Sequence, residues 1–196
     1  MNYPRKGGGM GVILASEPPS GVIAIDTETT GLGPDAEILQ CSIISGTGDV
    51  LFNRHFRPEA HDSWPEAEAV NGISPRSVAG CPPFRAHAAE ISAILARAEA
   101  VVGYNLPFDL GMLGRGGVGL PPLGKCVDVM VPFAEIYGER RPGGGFKWQR
   151  LQRCAKWCGW DGAGWHDSLA DCRATIFCFW KILGIKGELP ALSEGA

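Results

Sequence analysis

The sequence predicts an α/β fold, a mixed five-stranded sheet of three antiparallel and two parallel strands flanked by helices, on three observations. Val22–Ile25 is a continuous apolar run ahead of the Gly31 turn, the pattern of a central strand buried on both faces. Two more apolar runs follow at once, separated by turn residues. Beyond Pro83, apolar residues at helical spacing alternate with short apolar runs, as helices and parallel strands do when they interleave.

Taken in order, Ile38–Ile44 is the second strand and Val50–Phe56 the third, with Val50, Phe52 and Phe56 expected on one face. Ser45–Asp49 between them is a turn cluster, which makes the three strands an antiparallel meander. Residues 57–83 hold Pro58, Pro65, Pro75, Pro82 and Pro83 and read as mostly loop, with one short helix near Glu66–Val70. Phe84, Ala88, Ile91, Leu95 and Ala98 then recur at helical spacing. Ala100–Gly103 is a fourth strand. Asn105 is placed to cap the next helix, and Pro107 suits its first turn.

After a Gly- and Pro-rich loop at 114–124, Val127–Val129 forms the fifth strand and Val131–Tyr137 a helix. Gly119–Cys126 nearly spells a phosphate-binding loop. However, Cys126 stands where Ser or Thr is needed, and Pro121 and Pro122 lack the backbone donors that cradle phosphate, so a nucleotide triphosphatase is rejected. Arg140–Gly145 is a basic, Gly-rich connection. A helix follows with Trp148, Leu151, Ala155 and Cys158 on one stripe and Gly159 as its stop. The last helix runs from about Asp167 to Leu183, with Leu169, Ile176, Phe177, Trp180 and Leu183 supplying apolar contacts. The tryptophans clustered after Lys147 are assigned to the core and its rim.

With 196 residues, 45% of them hydrophobic, the chain supports one substantial core. It divides into a flexible Gly- and Pro-rich lead-in at 1–20, one domain at 21–186 and a short polar tail at 187–196. The net charge of −3 marks no global affinity for polyanions or membranes. No apolar run reaches the roughly 18 residues of a membrane span, and no signal peptide is visible. Seven cysteines, an odd number beside an ordinary core, argue for reduced thiols in a cytoplasmic protein. Cys154, Cys158, Cys172 and His166 offer zinc-ligand atoms, but their spacing fits no tight paired-ligand knuckle and buried thiols fit the helical stripe better. Arg140, Arg141, Lys147, Arg150, Arg153 and Lys156 face Glu139 alone, as a solvated face or as an edge that tracks phosphates.

The chemistry lies in four carboxylates and one histidine. Asp26 and Glu28 are two apart on a strand and point to the same side, where they repel unless a cation sits between them. Asp109 falls early in a helix beside a strand end. His166 precedes Asp171 by five residues, roughly 140° around a regular helix. His166 therefore belongs to the loop before the last helix, free to swing over the site, and Asp171 to its first turn.

Asp26-Thr27-Glu28-Thr29-Thr30-Gly31, Gly103-Tyr104-Asn105 with Phe108-Asp109, and His166 with Asp171 together resemble the three motifs of the DEDDh (DnaQ-like) 3′ to 5′ exonucleases of the ribonuclease H-like superfamily. Ala174-Thr175 is similar to that family's continuation of the last helix. Asn71-Gly72-Ile73-Ser74 is similar to its His-Gly-Ile-Thr element, with Asn71 in place of His. That departure is expected to alter contacts near the substrate strand without touching the metals. The resemblance spans about 21–186.

It implies catalysis by Asp26, Glu28, Asp109, Asp171 and His166, and two Mg²⁺ or Mn²⁺ ions about 4 Å apart. Four carboxylates offset the four positive charges of such a pair. Asp26, Glu28 and Asp171 would hold the first ion, Asp26 would bridge to a second held through water by Asp109, and His166, neutral, would be general base for the attacking water. Thr29 would contact the terminal nucleotide, Leu32 and Phe108 the last bases, and Asn105 the substrate. The partner is a nucleic acid with a free 3′ end: single-stranded DNA, a frayed duplex or RNA. A catalytically silent module binding nucleic acid or a polymerase is the rival, and chance matches on an unrelated α/β chain are a third reading.

Overall fold

The computed structural model describes residues 21–186, with side chains to Leu183. The expected lead-in at 1–20 and tail at 187–196 lie outside the described residues. Strand β1 (Val22–Thr29) is central in a five-stranded sheet of order β3-β2-β1-β4-β5, formed with β2 (Ile38–Ser45), β3 (Val50–His55), β4 (Ala100–Gly103) and β5 (Cys126–Asp128). β1, β2 and β3 pair antiparallel, whereas β1 with β4 and β4 with β5 pair parallel.

Both faces of the sheet are covered, which is why β1 reads as unbroken apolar residues. Val22 and Ala24 enter one core with the last two helices, α6 (Leu151–Cys158) and α7 (Ser168–Lys186). Ile23 and Ile25 enter the opposite core with α3 (Ala88–Arg97) and α4 (Leu106–Arg115). The alternation continues past the apolar run, so Asp26 and Glu28 take the α7 side and Thr27 the α4 side.

β1 runs four residues beyond the apolar segment, carrying the acidic pair into its carboxyl end. On β3, Phe52 is buried and Phe56 follows the strand into the core, but Val50 is exposed, contrary to expectation. The register shifts between Ile43 and Ile44, which pair with Phe52 and Val50, and that bulge breaks the alternation. The proline-rich stretch holds two helices, α1 (Pro65–Asn71) and α2 (Pro75–Val78), where one was expected. α2 has only four residues; Ser74 caps it by accepting from the Ser77 amide.

The helix beginning at Phe84 opens as a 3₁₀ turn, Phe84–His87, before α3. Asn105 stands at the N-cap of α4 but makes no side-chain cap bond; its backbone is left-handed, at φ 63°. Gly103 leads into that turn, where a Cβ would lie 2.7 Å from Leu106 Cδ1. α5 (Met130–Tyr137) follows β5. Trp148 precedes α6 instead of lying on its stripe and is 56% exposed, and Trp157 is also exposed, so neither fills the core. Lys125, from the near-match to a phosphate loop, donates its Nζ to the Ala98 carbonyl at 2.8 Å.

The sulfurs of Cys154, Cys158 and Cys178 gather between α6 and α7 within 4.8 Å. Cys172 lies apart, its thiol donating to Ser42 O at 3.4 Å. Among the described residues, no helix is long and apolar enough to cross a membrane.

Candidate active site

The carboxyl ends of β1, β4 and β5 and the start of α7 meet at one edge of the sheet. Asp26 and Glu28 stand there opposite Ser42 and Gln40 of β2. One turn into α7, Asp171 completes a trio whose carboxylate oxygens lie within 4.8 Å of one another. The aim of α7 is set from β2. Gln40 donates Nε2 to Asp167 Oδ2 at 3.0 Å and accepts on Oε1 from the Ser168 amide at 3.2 Å. Ser42 and Ser168 share a 2.6 Å hydroxyl contact. Asp167 Oδ1 accepts from the Leu169 and Ala170 amides at 3.1 Å each, capping the helix. Gln40, Ser42 and Ser168 are buried, so this polar cluster is costly to disturb.

Asp109 arrives from the opposite helical layer. It is 3% exposed, and its Oδ1 accepts a 2.7 Å hydrogen bond from Thr27 Oγ1. The turn that delivers it is anchored by Asp128 at the end of β5, whose Oδ1 accepts from the Asn105 amide at 2.9 Å and the Met130 amide at 3.0 Å. Asn71 donates to the Thr29 carbonyl at 3.3 Å, and its side-chain amide lowers the pKa of the nearby Glu28 carboxylate.

Burial and mutual repulsion govern the electrostatics. Burial, then Asp109, Asp171 and Glu28, push Asp26 well above its ordinary carboxylate value. Burial and Asp171 raise Glu28 to about 7, against the Asn71 hydrogen bond. Asp109 is raised to about 7 by burial, opposed by Thr27. Asp171 rises to about 6, chiefly through burial. Two unit charges about 4 Å apart repel by about 4 kcal/mol at an effective dielectric of 20, so three such carboxylates hold protons or a cation. Asp171 Oδ1 is buried without a hydrogen-bond partner. An orphaned oxygen inside a crowded set of hard donors fits Mg²⁺ or Mn²⁺.

The remaining expected residues form the rim. His166 lies in the loop before α7, exposed, with Nε2 3.5 Å from Gln152 Nε2 and its backbone amide 3.4 Å from Asp171 Oδ2. Its imidazole is outside the carboxylate trio. His166 and Asn105 are the two non-glycine residues with positive φ among the described residues, at 66° and 63°. Both flank the acids, where such strain commonly accompanies function. Leu32 is 87% exposed, which excludes a core-packing role. Phe108 is half-buried against the α4-side core. Thr29 is buried and spends its hydroxyl on the Gly31 carbonyl at 2.7 Å. Thr27, Gln40, Asp128 and Asp167 went unread in the sequence; only Thr27, lying between the two acids, carried a local signal.

The sequence pattern of the exonuclease family RNase_T matches residues 23–179. The uncharacterized exonuclease CP81 of Escherichia phage 186 is 32% identical over 183 residues, covering 88% of each chain. The Interferon-stimulated gene 20 kDa protein of Mus musculus is 33% identical over 94 residues, which cover 47% of this chain and 31% of that protein. Among solved structures, Exonuclease X in complex with 5′ overhanging duplex DNA aligns with a TM-score of 0.63 and 22% identity over 85% of this chain and 93% of its own. E. coli Exonuclease I in complex with a dT13 oligonucleotide aligns with a TM-score of 0.64 and 21% identity, over 83% of this chain and 40% of its own.

Proposed function

The chain belongs to the exonuclease family RNase_T and is a nuclease of the ribonuclease H-like fold, and on that premise we propose that it removes nucleoside monophosphates from the 3′ end of DNA or RNA by metal-dependent hydrolysis. The observation that carries the reading is the gathering of Asp26, Glu28 and Asp171 oxygens within 4.8 Å, with Asp171 Oδ1 buried and unbonded.

Asp26, Glu28 and Asp171 would hold one Mg²⁺ or Mn²⁺, and Asp26 with Asp109 would hold a second. When bound, the pair supplies positive charge at the attacking water and at the departing 3′ oxygen. His166, in its neutral form, takes the proton from the attacking water once its imidazole turns from Gln152 toward the acids. The Thr29 segment meets the terminal nucleotide, Leu32 and Phe108 pack against the last bases, and Asn105 lies beside them. An exposed leucine next to an acidic pocket has a use when a base covers it. The relatives described as bound to overhanging duplex and to a single-stranded oligonucleotide support a strand with a free 3′ end as the partner. Seven free thiols suit a reducing, cytoplasmic setting.

A 5′-labelled oligonucleotide, as DNA and as RNA in parallel, incubated with Mg²⁺, Mn²⁺ or EDTA tests this. Stepwise shortening from the 3′ end, abolished by EDTA, is expected. Binding with no shortening in either metal would favour the silent module instead.

A further inference from the structure

Between α5 and α6 the chain builds a small basic hairpin that the site chemistry leaves unused. Arg140 and Phe146 bridge antiparallel, the Lys147 amide donates to Glu139 O at 2.7 Å, and the Arg141 amide to Gly145 O at 3.2 Å. Gly143, Gly144 and Gly145 all have positive φ, at 93°, 104° and 73°, so this turn requires glycines. Two guanidinium–aromatic stacks decorate it, with Arg140 4.8 Å from the Phe146 ring centre and Arg141 5.7 Å from that of Trp148.

Three features indicate what it grips. Glu139 takes up Lys147 at 2.9 Å and Arg153 at 3.7 Å, leaving Arg140, Arg141 and Arg150 without an ion pair among the described residues. A stacked guanidinium keeps its N–H fork free for phosphate. Trp148 is 56% exposed even with the Arg141 guanidinium over its ring. Unpaired cations interleaved with an open aromatic face, on a chain of net charge −3, match a polyanion that also offers flat bases. A duplex hides its base faces, and an acidic peptide would not need the platform.

The hairpin is tied to the acidic site at two points. Tyr104 Oη, beside the turn that carries Asp109, donates to Gln149 O at 2.8 Å, and Gln152 at the start of α6 touches His166. We propose that residues 139–150 form a single-strand clamp, with Trp148 stacking a base and Arg140, Arg141 and Arg150 holding phosphates of the strand whose 3′ end enters the acidic site. This rests on the proposed exonuclease activity and names its substrate as a strand single-stranded over several nucleotides.

Fluorescence anisotropy of fluorescein-labelled oligothymidylate in EDTA reads the clamp without turnover. For R140A/R141A, the slope of log affinity against log salt should shrink by roughly 1.4, at about 0.7 per single-strand phosphate contact. Trp148→Ala should weaken binding at least about fivefold, the low end of losing a stacked base. Arg141→Glu should weaken binding more than Arg141→Ala. In Mg²⁺ the loss should appear in KM for the oligonucleotide more than in kcat. Unchanged affinity and salt slope in variants that melt like the parent would overturn the clamp. A parent protein that binds the oligonucleotide but never shortens it would instead overturn the exonuclease reading.

Discussion

Thr27 Oγ1 donates to Asp109 Oδ1 at 2.7 Å, joining positions 82 residues apart across the central strand. Asp26 and Glu28 face α7 while Thr27, between them, faces α4. One Asp-Thr-Glu segment thus presents two acids on one side and fixes a third from the other.

Thr27→Val keeps the shape and removes the donor. Because the Thr27 bond lowers the Asp109 pKa against burial, its loss should raise that pKa further. A hydrogen bond to a charged group is worth about 1.5–3 kcal/mol, so turnover at neutral pH should fall by about one to two orders of magnitude with the fold intact. Steady-state kinetics and a thermal melt check this.

The acids should make the metal-free protein less stable as pH rises. Glu28, Asp109 and Asp171 have folded pKa values of about 7, 7 and 6, above their ordinary values of 4.5, 3.8 and 3.8. Between about pH 5 and 7 the folded state therefore holds more protons than the unfolded one, and stability declines with pH. Glu37, whose pKa is lowered, is already ionised in both states there and does not contribute. Melts in EDTA across this window should show the decline, and the variant D26N/E28Q/D171N should make it shallower, leaving the part that Asp109 contributes. Calorimetry in two buffers of different ionisation enthalpy should show protons released when Mg²⁺ binds near pH 6.

Asp26→Asn should lower turnover by about three orders of magnitude, the upper scale for losing one electrostatic stabiliser. It should also raise the melting temperature in EDTA, since it removes a carboxyl whose ionisation is opposed by burial and then by Asp109, Asp171 and Glu28. Retained activity or a lower melting temperature would refute the assignment.

His166→Gln should keep divalent-cation binding, because its imidazole lies outside the trio, yet lose about a hundred- to ten-thousandfold in turnover, the span of general base catalysis. Single-turnover kinetics beside a calorimetric Mg²⁺ titration check both halves.

Gln40→Leu deletes the link from β2 to α7, leaving Asp167 Oδ2 and the Ser168 amide without their partner. An unmade bond to a buried group costs about 1–3 kcal/mol, so the melting temperature should fall, and kcat with it as Asp171 loses its aim. A stability loss with unchanged kcat would make Gln40 purely structural.

The strands were legible wherever burial on both faces left an unbroken apolar run, as at Val22–Ile25, Ile38–Ile44 and Ala100–Gly103. Placing His166 in the loop and Asp171 on the helix followed from helical geometry alone. The bulge that exposes Val50 and the four-residue α2 were not legible, because neither changes the pattern over a long enough window. The roles of Gln40, Thr27 and Asp128 were not legible for another reason: each acts through a partner far along the chain, and a buried polar residue shows no role until its partner is placed. Trp148 misled because aromatics default to the core, and only the hairpin's geometry sets it outside.

Anomalous diffraction at the manganese edge, from crystals grown with Mn²⁺, locates the ions that these carboxylates would hold. A peak is expected among the carboxylates of Asp26, Glu28 and Asp171, with a second on the Asp109 side of Asp26. Full occupancy of Mn²⁺ elsewhere, with no peak between these three acids, would contradict the metal assignment.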